Sequence, residues 1–336
     1  MDADMGGGAE GGDPRAFLTE EVKDAAGRVD FDMFAYSKEQ LVYVVEYMFH
    51  SLGFVDAFGL DEEVIVAFLH ALRESYNNVP FHNFYHCFCV TQMAYCVFVA
   101  AAGEDESVFL NVFEKFVVFV SALCHDVDHP GFSNSYQINA QTPLAMVYND
   151  MSCLENHHCS QAFALFKQPG CNLLAPFSRE QYKELRRLMV KLILVTDLAN
   201  HSAAKAKFDA AVADGTLDLT ARASRDMLCQ VVIMACDISN EVRPFAIARP
   251  WADRITAEWG NQVAVEKALG LPFLPFMDAE TVVVPKSQIG FINDILHPIW
   301  TSLMAVVEPV RAFEANILAN REAYAVELAS LTPAQK

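Results

Sequence analysis

The run His125-Asp126-Val127-Asp128-His129-Pro130-Gly131 brings two imidazoles, two carboxylates and a glycine backbone into seven residues. It follows directly on Phe116 to Cys124, one of the most apolar stretches of the chain. A helix that ends in His-Asp-x-Asp-His makes a poor core and a good metal site. Imidazole nitrogen suits zinc, manganese or iron, and carboxylate oxygen suits harder ions. Ten histidines are present, six of them between positions 82 and 158. Two pairs have i,i+4 spacing, His82/His86 and His125/His129, where random placement gives ~0.3 such pairs. On a helix this spacing turns both imidazoles toward one site.

His86, His125 and Asp126 are therefore ligand candidates. Asp237 is a fourth, because it too ends an apolar helix (Leu228, Val231, Val232, Ala235). From spacing alone, a helix-capping reading of Asp237 stands ahead of the ligand reading. A mixed His₂Asp₂ set leaves positions for water, the mark of a catalytic site. Adjacent ligands such as His125 and Asp126 also let one carboxylate bridge to a second metal. Tyr148-Asn149-Asp150, Leu154-Glu155-Asn156-His157-His158 and Thr196-Asp197 offer groups that hold metal-bound water or, equally well, cap helices. Gln288 and Phe291 lie three residues apart, where an amide and a ring can read and stack on a planar base. Spacing alone favours an ordinary amphipathic helix there, with Phe291, Ile292 and Ile295 in the core.

The elements that must carry these residues are helical. Ser37-Lys38-Glu39-Gln40 and Ser178-Arg179-Glu180-Gln181 are capping boxes ahead of apolar-periodic runs, and Asp61 can cap a third helix. One strand-like run, Thr281 to Val284, is short and stopped by Pro285; Gly270 to Pro285 reads as a long loop. The fold class expected is all-α: one compact multi-helix domain with helical sub-lobes over residues 15–336, behind a disordered Gly-rich leader at 1–14. Of 336 residues, 53% are hydrophobic, enough for a large core. A formal net charge of −19 disfavours a nucleic-acid or anionic-membrane partner. Nine cysteines without a CxxC pair fit buried thiols in a reducing, cytoplasmic setting. No apolar run is long enough for a transmembrane helix.

These residues together resemble the catalytic domain of the class I cyclic-nucleotide phosphodiesterases, which carry an HD-type metal site. The signature is matched from His125 through Gly131 and on through Phe132-Ser133-Asn134-Ser135-Tyr136. The resemblance runs from about Tyr76 to Ala312 and takes in His82-Asn83-Phe84-Tyr85-His86, Asp237-Ile238-Ser239-Asn240, Trp251-Ala252-Asp253-Arg254-Ile255 and Ser287-Gln288-Ile289-Gly290-Phe291. It implies that His86, His125, Asp126 and Asp237 hold a tight metal, usually zinc. Asp126 is then the bridge to a second metal, magnesium or manganese. Glu155, Thr196, Asp197 and His129 are implied around the waters of those metals, and His82 is implied as the general acid. Gln288 is implied to hydrogen-bond the purine, Phe291 and Ile255 to clamp it, and Asn240 to occupy a second base-reading position. Two departures bear on the pocket: Phe81 stands where the family usually has Tyr, and Ala248 where a bulkier residue is common.

The reaction implied is hydrolysis of a 3′,5′-cyclic nucleotide to the 5′-monophosphate by a metal-activated hydroxide, with His82 protonating the leaving oxygen. Glu155 or Glu280 can be suggested as the carboxylate that keeps His82 protonated; the sequence does not choose. Asn240 inclines the expectation to cyclic AMP, with dual use of cyclic GMP next. Another HD-type nucleotide phosphohydrolase and a non-catalytic cyclic-nucleotide binding module are the rival readings. A homodimer is compatible with the resemblance, and the family's regulatory modules are expected outside these residues.

Overall fold

The computed structural model describes residues 13–102 and 109–332. The expected leader lies outside the described residues except for Asp13 and Pro14, where the Asp13 side chain already caps a turn through the Arg15 N–H at 2.9 Å. The described residues form sixteen α-helices in order: α1 (Glu20–Ala26), α2 (Lys38–Ser51), α3 (Phe54–Phe58), α4 (Glu62–Ser75), α5 (Phe84–Ala100), α6 (Val112–Cys124), α7 (Asn134–Asn139), α8 (Pro143–Tyr148), α9 (Cys153–Leu165), α10 (Arg179–Leu194), α11 (Leu198–Ala213), α12 (Arg222–Asp237), α13 (Phe245–Leu269), α14 (Val284–Phe291), α15 (His297–Met304) and α16 (Glu314–Ser330). A single turn of π-helix, Ile292–Leu296, joins α14 to α15. There is no strand among the described residues. The strand-like run fails for a local reason. Val284 opens α14 and Pro285 sits in its first turn, where a missing N–H costs nothing.

The caps read from sequence are present. Ser37/Gln40 and Ser178/Gln181 each close a reciprocal capping box, and Asp61 accepts from the Glu63 and Val64 N–H groups. α10 buries Leu185, Leu188, Met189, Leu192 and Ile193 on one face, as an amphipathic helix should. Three other helices are apolar all round over long stretches and form the centre. In α5 every residue from His86 to Phe98 is buried; in α6, Phe116 to Cys124; in α12, Val231 to Cys236. These three pack on one another pairwise, and one continuous apolar core surrounds them. All nine cysteines are buried and unpaired. No helix among the described residues is long and apolar enough to cross a membrane.

The central trio fixes the functional geometry. α5 begins two residues before His86, α6 ends one residue before His125, and α12 ends at Asp237. Three helices, buried over most of their length near the site, thus deliver their polar ends to one place. Two of those ends are C-terminal, so their partial negative charge favours a cation there.

Candidate metal centre and active site

His86, His125, Asp126 and Asp237 converge on one point. His86 Nε2 lies 3.3 Å from Asp126 Oδ2 and 3.2 Å from Asp237 Oδ1. His125 Nε2 lies 3.2 Å and 3.1 Å from the same two oxygens, and 3.2 Å from His86 Nε2. Atoms so spaced surround a centre about 2.0–2.2 Å from each, the bond length of a divalent metal to nitrogen or oxygen. The tautomer fits as well. His125 Nδ1 donates to the Ala122 carbonyl at 2.8 Å, which leaves the Nε2 lone pair facing the cluster. Burial alone would lower the pKa of His125, yet Asp126 and Asp237 raise it well above its usual value. For Asp126 burial acts upward, and His125 and His86 still hold the carboxyl well below its usual range. Such a cage attracts positive charge, and a divalent ion satisfies it. Asp237 ends α12, and its carboxylate faces the two imidazoles; the 3₁₀ turn that follows has no side-chain cap.

The loop after α6 is held by its own contacts. The Tyr76 hydroxyl donates to the Leu123 carbonyl at 2.9 Å and accepts from the Asp126 N–H at 3.4 Å. Asp128 sits at φ +62°, a left-handed conformation that Asp tolerates better than most residues. Its carboxylate is taken by Asn77 Nδ2 at 3.0 Å and His157 Nε2 at 2.8 Å. Gly131, at φ +76°, comes so close to Val79 that an added Cβ would stand 3.0 Å from Val79 Cγ1. His158 donates through Nδ1 to the Val127 carbonyl at 2.8 Å, and its Nε2 faces Asp126 Oδ1 at 3.6 Å.

The i,i+4 spacings converge, but not by the helical route expected. Asn83 caps α5, so His82 lies outside the helix; His129 lies beyond the end of α6. The His82 and His129 rings stack instead, with centroids 4.0 Å apart. The Gly131 N–H donates to His129 Nδ1 at 3.0 Å. Burial and the neighbouring His82 charge push the His129 pKa well below its usual value.

The carboxylate that serves His82 is neither of the two suggested from sequence. It is Glu258 on α13, 176 residues away, whose Oε1 meets His82 Nδ1 in a very short contact. Glu258 Oε2 also accepts from the Phe81 N–H at 2.8 Å and the His82 N–H at 3.1 Å. One buried carboxylate therefore fixes both the backbone and the ring of His82. Burial works against the charged imidazole, but Glu258, with help from Asp126 and Asp237, raises the His82 pKa to about 9. Glu280 points elsewhere, paired with Lys267 at 2.9 Å and 81% exposed. Glu155 is taken by Asn134 Nδ2 at 3.1 Å and 2.9 Å, and burial, with Asp197 and Asp126 nearby, raises its pKa to about 7. A signal for Glu258 was in the sequence. Trp251, Ile255, Glu258, Gln262 and Glu266 recur at helical spacing, so polar groups occupy a face that starts from a buried Trp. Gln262 on that face also holds the Ser133 backbone, accepting at 2.7 Å.

The remaining candidates divide. Asp197 caps α11 through the Ala199 N–H at 3.0 Å and accepts from Ser152 Oγ at 2.7 Å. Thr196 donates to the Ile193 carbonyl at 2.8 Å. Both have structural partners, and neither makes a hydrogen bond to the four-residue cage. Gln288 and Phe291 lie on α14 and Ile255 on α13, two helices that pack together. Asn240 lies in a buried 3₁₀ turn, Ser239–Val242, that follows α12. Gln288 is buried, yet its amide makes no hydrogen bond among the described residues; Asn240 accepts only a long contact from the Cys89 thiol at 3.6 Å. Phe81 packs between His86 and Trp251, with centroids 4.8 Å and 5.4 Å away. Ala248 is fully buried in α13.

A family model described as 3′5′-cyclic nucleotide phosphodiesterase matches residues 81–317. A Drosophila melanogaster relative named "High affinity cGMP-specific 3′,5′-cyclic phosphodiesterase 9A" is 41% identical over 86% of this chain and 19% of its own. A Mus musculus relative of the same name is 40% identical over 88% of this chain and 55% of its own. The chain thus spans between a fifth and just over half of these curated relatives. Among solved structures, the phosphodiesterase domain of Salpingoeca rosetta rhodopsin phosphodiesterase superimposes with a TM-score of 0.86 at 30% identity, covering 95% of this chain and 96% of that one.

Proposed function

From the premise that the chain belongs to the 3′5′-cyclic nucleotide phosphodiesterase family, we propose that it hydrolyses a 3′,5′-cyclic purine nucleotide to the 5′-monophosphate, with cyclic GMP preferred. One observation carries the reading: four groups able to hold a metal ion lie beside a histidine whose ring meets a buried carboxylate. His86, His125, Asp126 and Asp237 would hold zinc, with Asp126 also able to serve a magnesium or manganese ion. Bound there, such metals supply Lewis acidity to the phosphate and lower the pKa of a water to about 7.

The chain's own residues do the rest. Glu258 favours the protonated form of His82, which can give its proton to the departing 3′ oxygen, too basic to leave unaided. Glu258 takes Nδ1, so Nε2–H is the donor left for substrate. The unused amide of Gln288 has the chemistry to read a purine edge, with Phe291 and Ile255 supplying apolar faces and Asn240 a second amide. A glutamine amide can turn to match either guanine or adenine. The cyclic AMP inclination drawn from Asn240 finds no support in the two relatives named as cGMP-specific, and cyclic GMP takes its place here.

The test is turnover of both nucleotides by the purified chain with magnesium, with the 5′-monophosphate as the measured product. Expected is a kcat/KM for cyclic GMP at least about tenfold above that for cyclic AMP, because an amide held in one orientation rejects the base edge it cannot pair. Equal values, or a preference for cyclic AMP, would remove the guanine assignment. Failure to form either product would remove the enzymatic reading.

Glu258 offers a separate check. Glu258→Gln keeps the shape but removes the charge that raises the His82 pKa. The protonated imidazole is the working form, so activity is lost as pH rises through that pKa. In the variant the alkaline limb of the kcat profile moves to lower pH. An alkaline limb at the parent position would show that Glu258 does not set it.

A further inference from the structure

The last helix grips the turn that follows Asp237. Three side chains of α16, at positions 316, 320 and 324, share one face by i,i+4 spacing. Asn316 Nδ2 donates to the Val242 carbonyl at 2.9 Å. Asn320, 1% exposed, donates to the carbonyls of Glu241 at 2.9 Å and Arg243 at 2.8 Å. The fully buried Tyr324 hydroxyl donates to Glu241 Oε1 at 2.9 Å. Three consecutive carbonyls, 241 to 243, are thus each held by α16. From the other side the buried Arg243 donates through Nη2 to the Cys89 carbonyl at 2.9 Å and to Gln92 Oε1 at 2.6 Å, tying the same stretch to α5.

The same helix packs along α14, and the 239–242 turn packs against the π-helical segment that continues α14. α16 therefore touches both elements that carry the two candidate base-reading amides: the turn with Asn240, whose one contact is the long one from Cys89, and the helix with Gln288. Hydrogen bonds to a base edge weaken over a few tenths of an ångström, so the spacing of two such amides has to be held by something rigid. A single helix bonded to one element and packed on the other does this.

We propose that α16 is a positioning element for base recognition, with Tyr324, Asn320 and Asn316 holding Asn240 in register with Gln288. The inference rests on the nucleotide reading above and extends it to Asn320 and Tyr324, which lie outside residues 81–317 matched by the family model.

Tyr324→Phe and Asn316→Ala, made separately in the full chain, test it with both nucleotides and with metal content measured alongside. Tyr324→Phe removes only a hydroxyl. Asn316 is half-buried, so its truncation leaves the core intact. Expected is a rise in KM for the preferred nucleotide of about threefold to tenfold, the scale of a lost hydrogen bond. The ratio of kcat/KM between the two nucleotides narrows, while kcat and metal content hold. A purely structural role would instead lower kcat through loss of active protein, at parent KM and parent ratio. That result, or two variants indistinguishable from the parent, overturns the inference alone. A parent chain that turns over neither nucleotide overturns the function reading and this inference together.

Discussion

His82→Ala lowers kcat for cyclic nucleotide hydrolysis by about 10²- to 10⁴-fold, the range of general acid catalysis, and leaves metal content at the parent level. The two halves of this expectation have separate causes. His82 is not among the four groups of the cage, so its loss leaves those four in place. The 3′ alkoxide, however, then departs without a proton. His82→Gln is the companion variant, because it keeps a hydrogen-bond donor but cannot transfer a proton. Recovery of parent activity in His82→Gln would turn the role from acid to mere hydrogen bonding. A parent kcat in His82→Ala would remove the acid assignment altogether. Elemental analysis of the same samples keeps the two effects apart.

Asp237→Ala empties the cage. Its Oδ1 stands 3.2 Å from His86 Nε2 and 3.1 Å from His125 Nε2, so two imidazoles and one carboxylate would remain. The expected result is a metal content well below one tight ion per chain after dialysis, with turnover reduced to background. Asp237→Asn is the sharper version, since it keeps an oxygen in place and removes the charge. Both differ from His82→Ala in sign on one axis: metal is lost here and retained there. Unchanged tight metal in Asp237→Ala would strike Asp237 from the ligand set.

The contrast between these two residues shows what a sequence can carry. Helices declared themselves through period and caps, because Ser37, Asp61 and Ser178 act on backbone groups two or three residues away. The apolar stretches of α5, α6 and α12 announced buried helices, and polar residues at their ends announced a site. Asp237 needed more than spacing, since an aspartate ending a helix is ordinarily a cap. Glu258 was missed because its polar helix face marks a site without naming the partner, His82, which is 176 residues distant. The i,i+4 histidines were found for an incomplete reason. The imidazoles of His82 and His129 do meet, but from irregular backbone whose path is set by Asn83, Asp128 and Gly131. The strand-like run of valines was misleading because β-branched residues favour strands only where a partner strand exists, and here a proline opens a helix instead.

The convergence of α5, α6 and α12 has a consequence for the chain as a polymer. The cage joins positions 39 and 151 residues apart in sequence, through His86–His125 and His86–Asp237. An ion bound there is a crosslink closing two long loops, and loop closure removes disorder from the unfolded chain. In a protein whose nine cysteines are all unpaired, that role falls to coordination rather than to sulfur. Metal binding and folding are then one linked equilibrium. A metal held by the cage would thus also serve as a reversible staple for the three helices at the centre of the core.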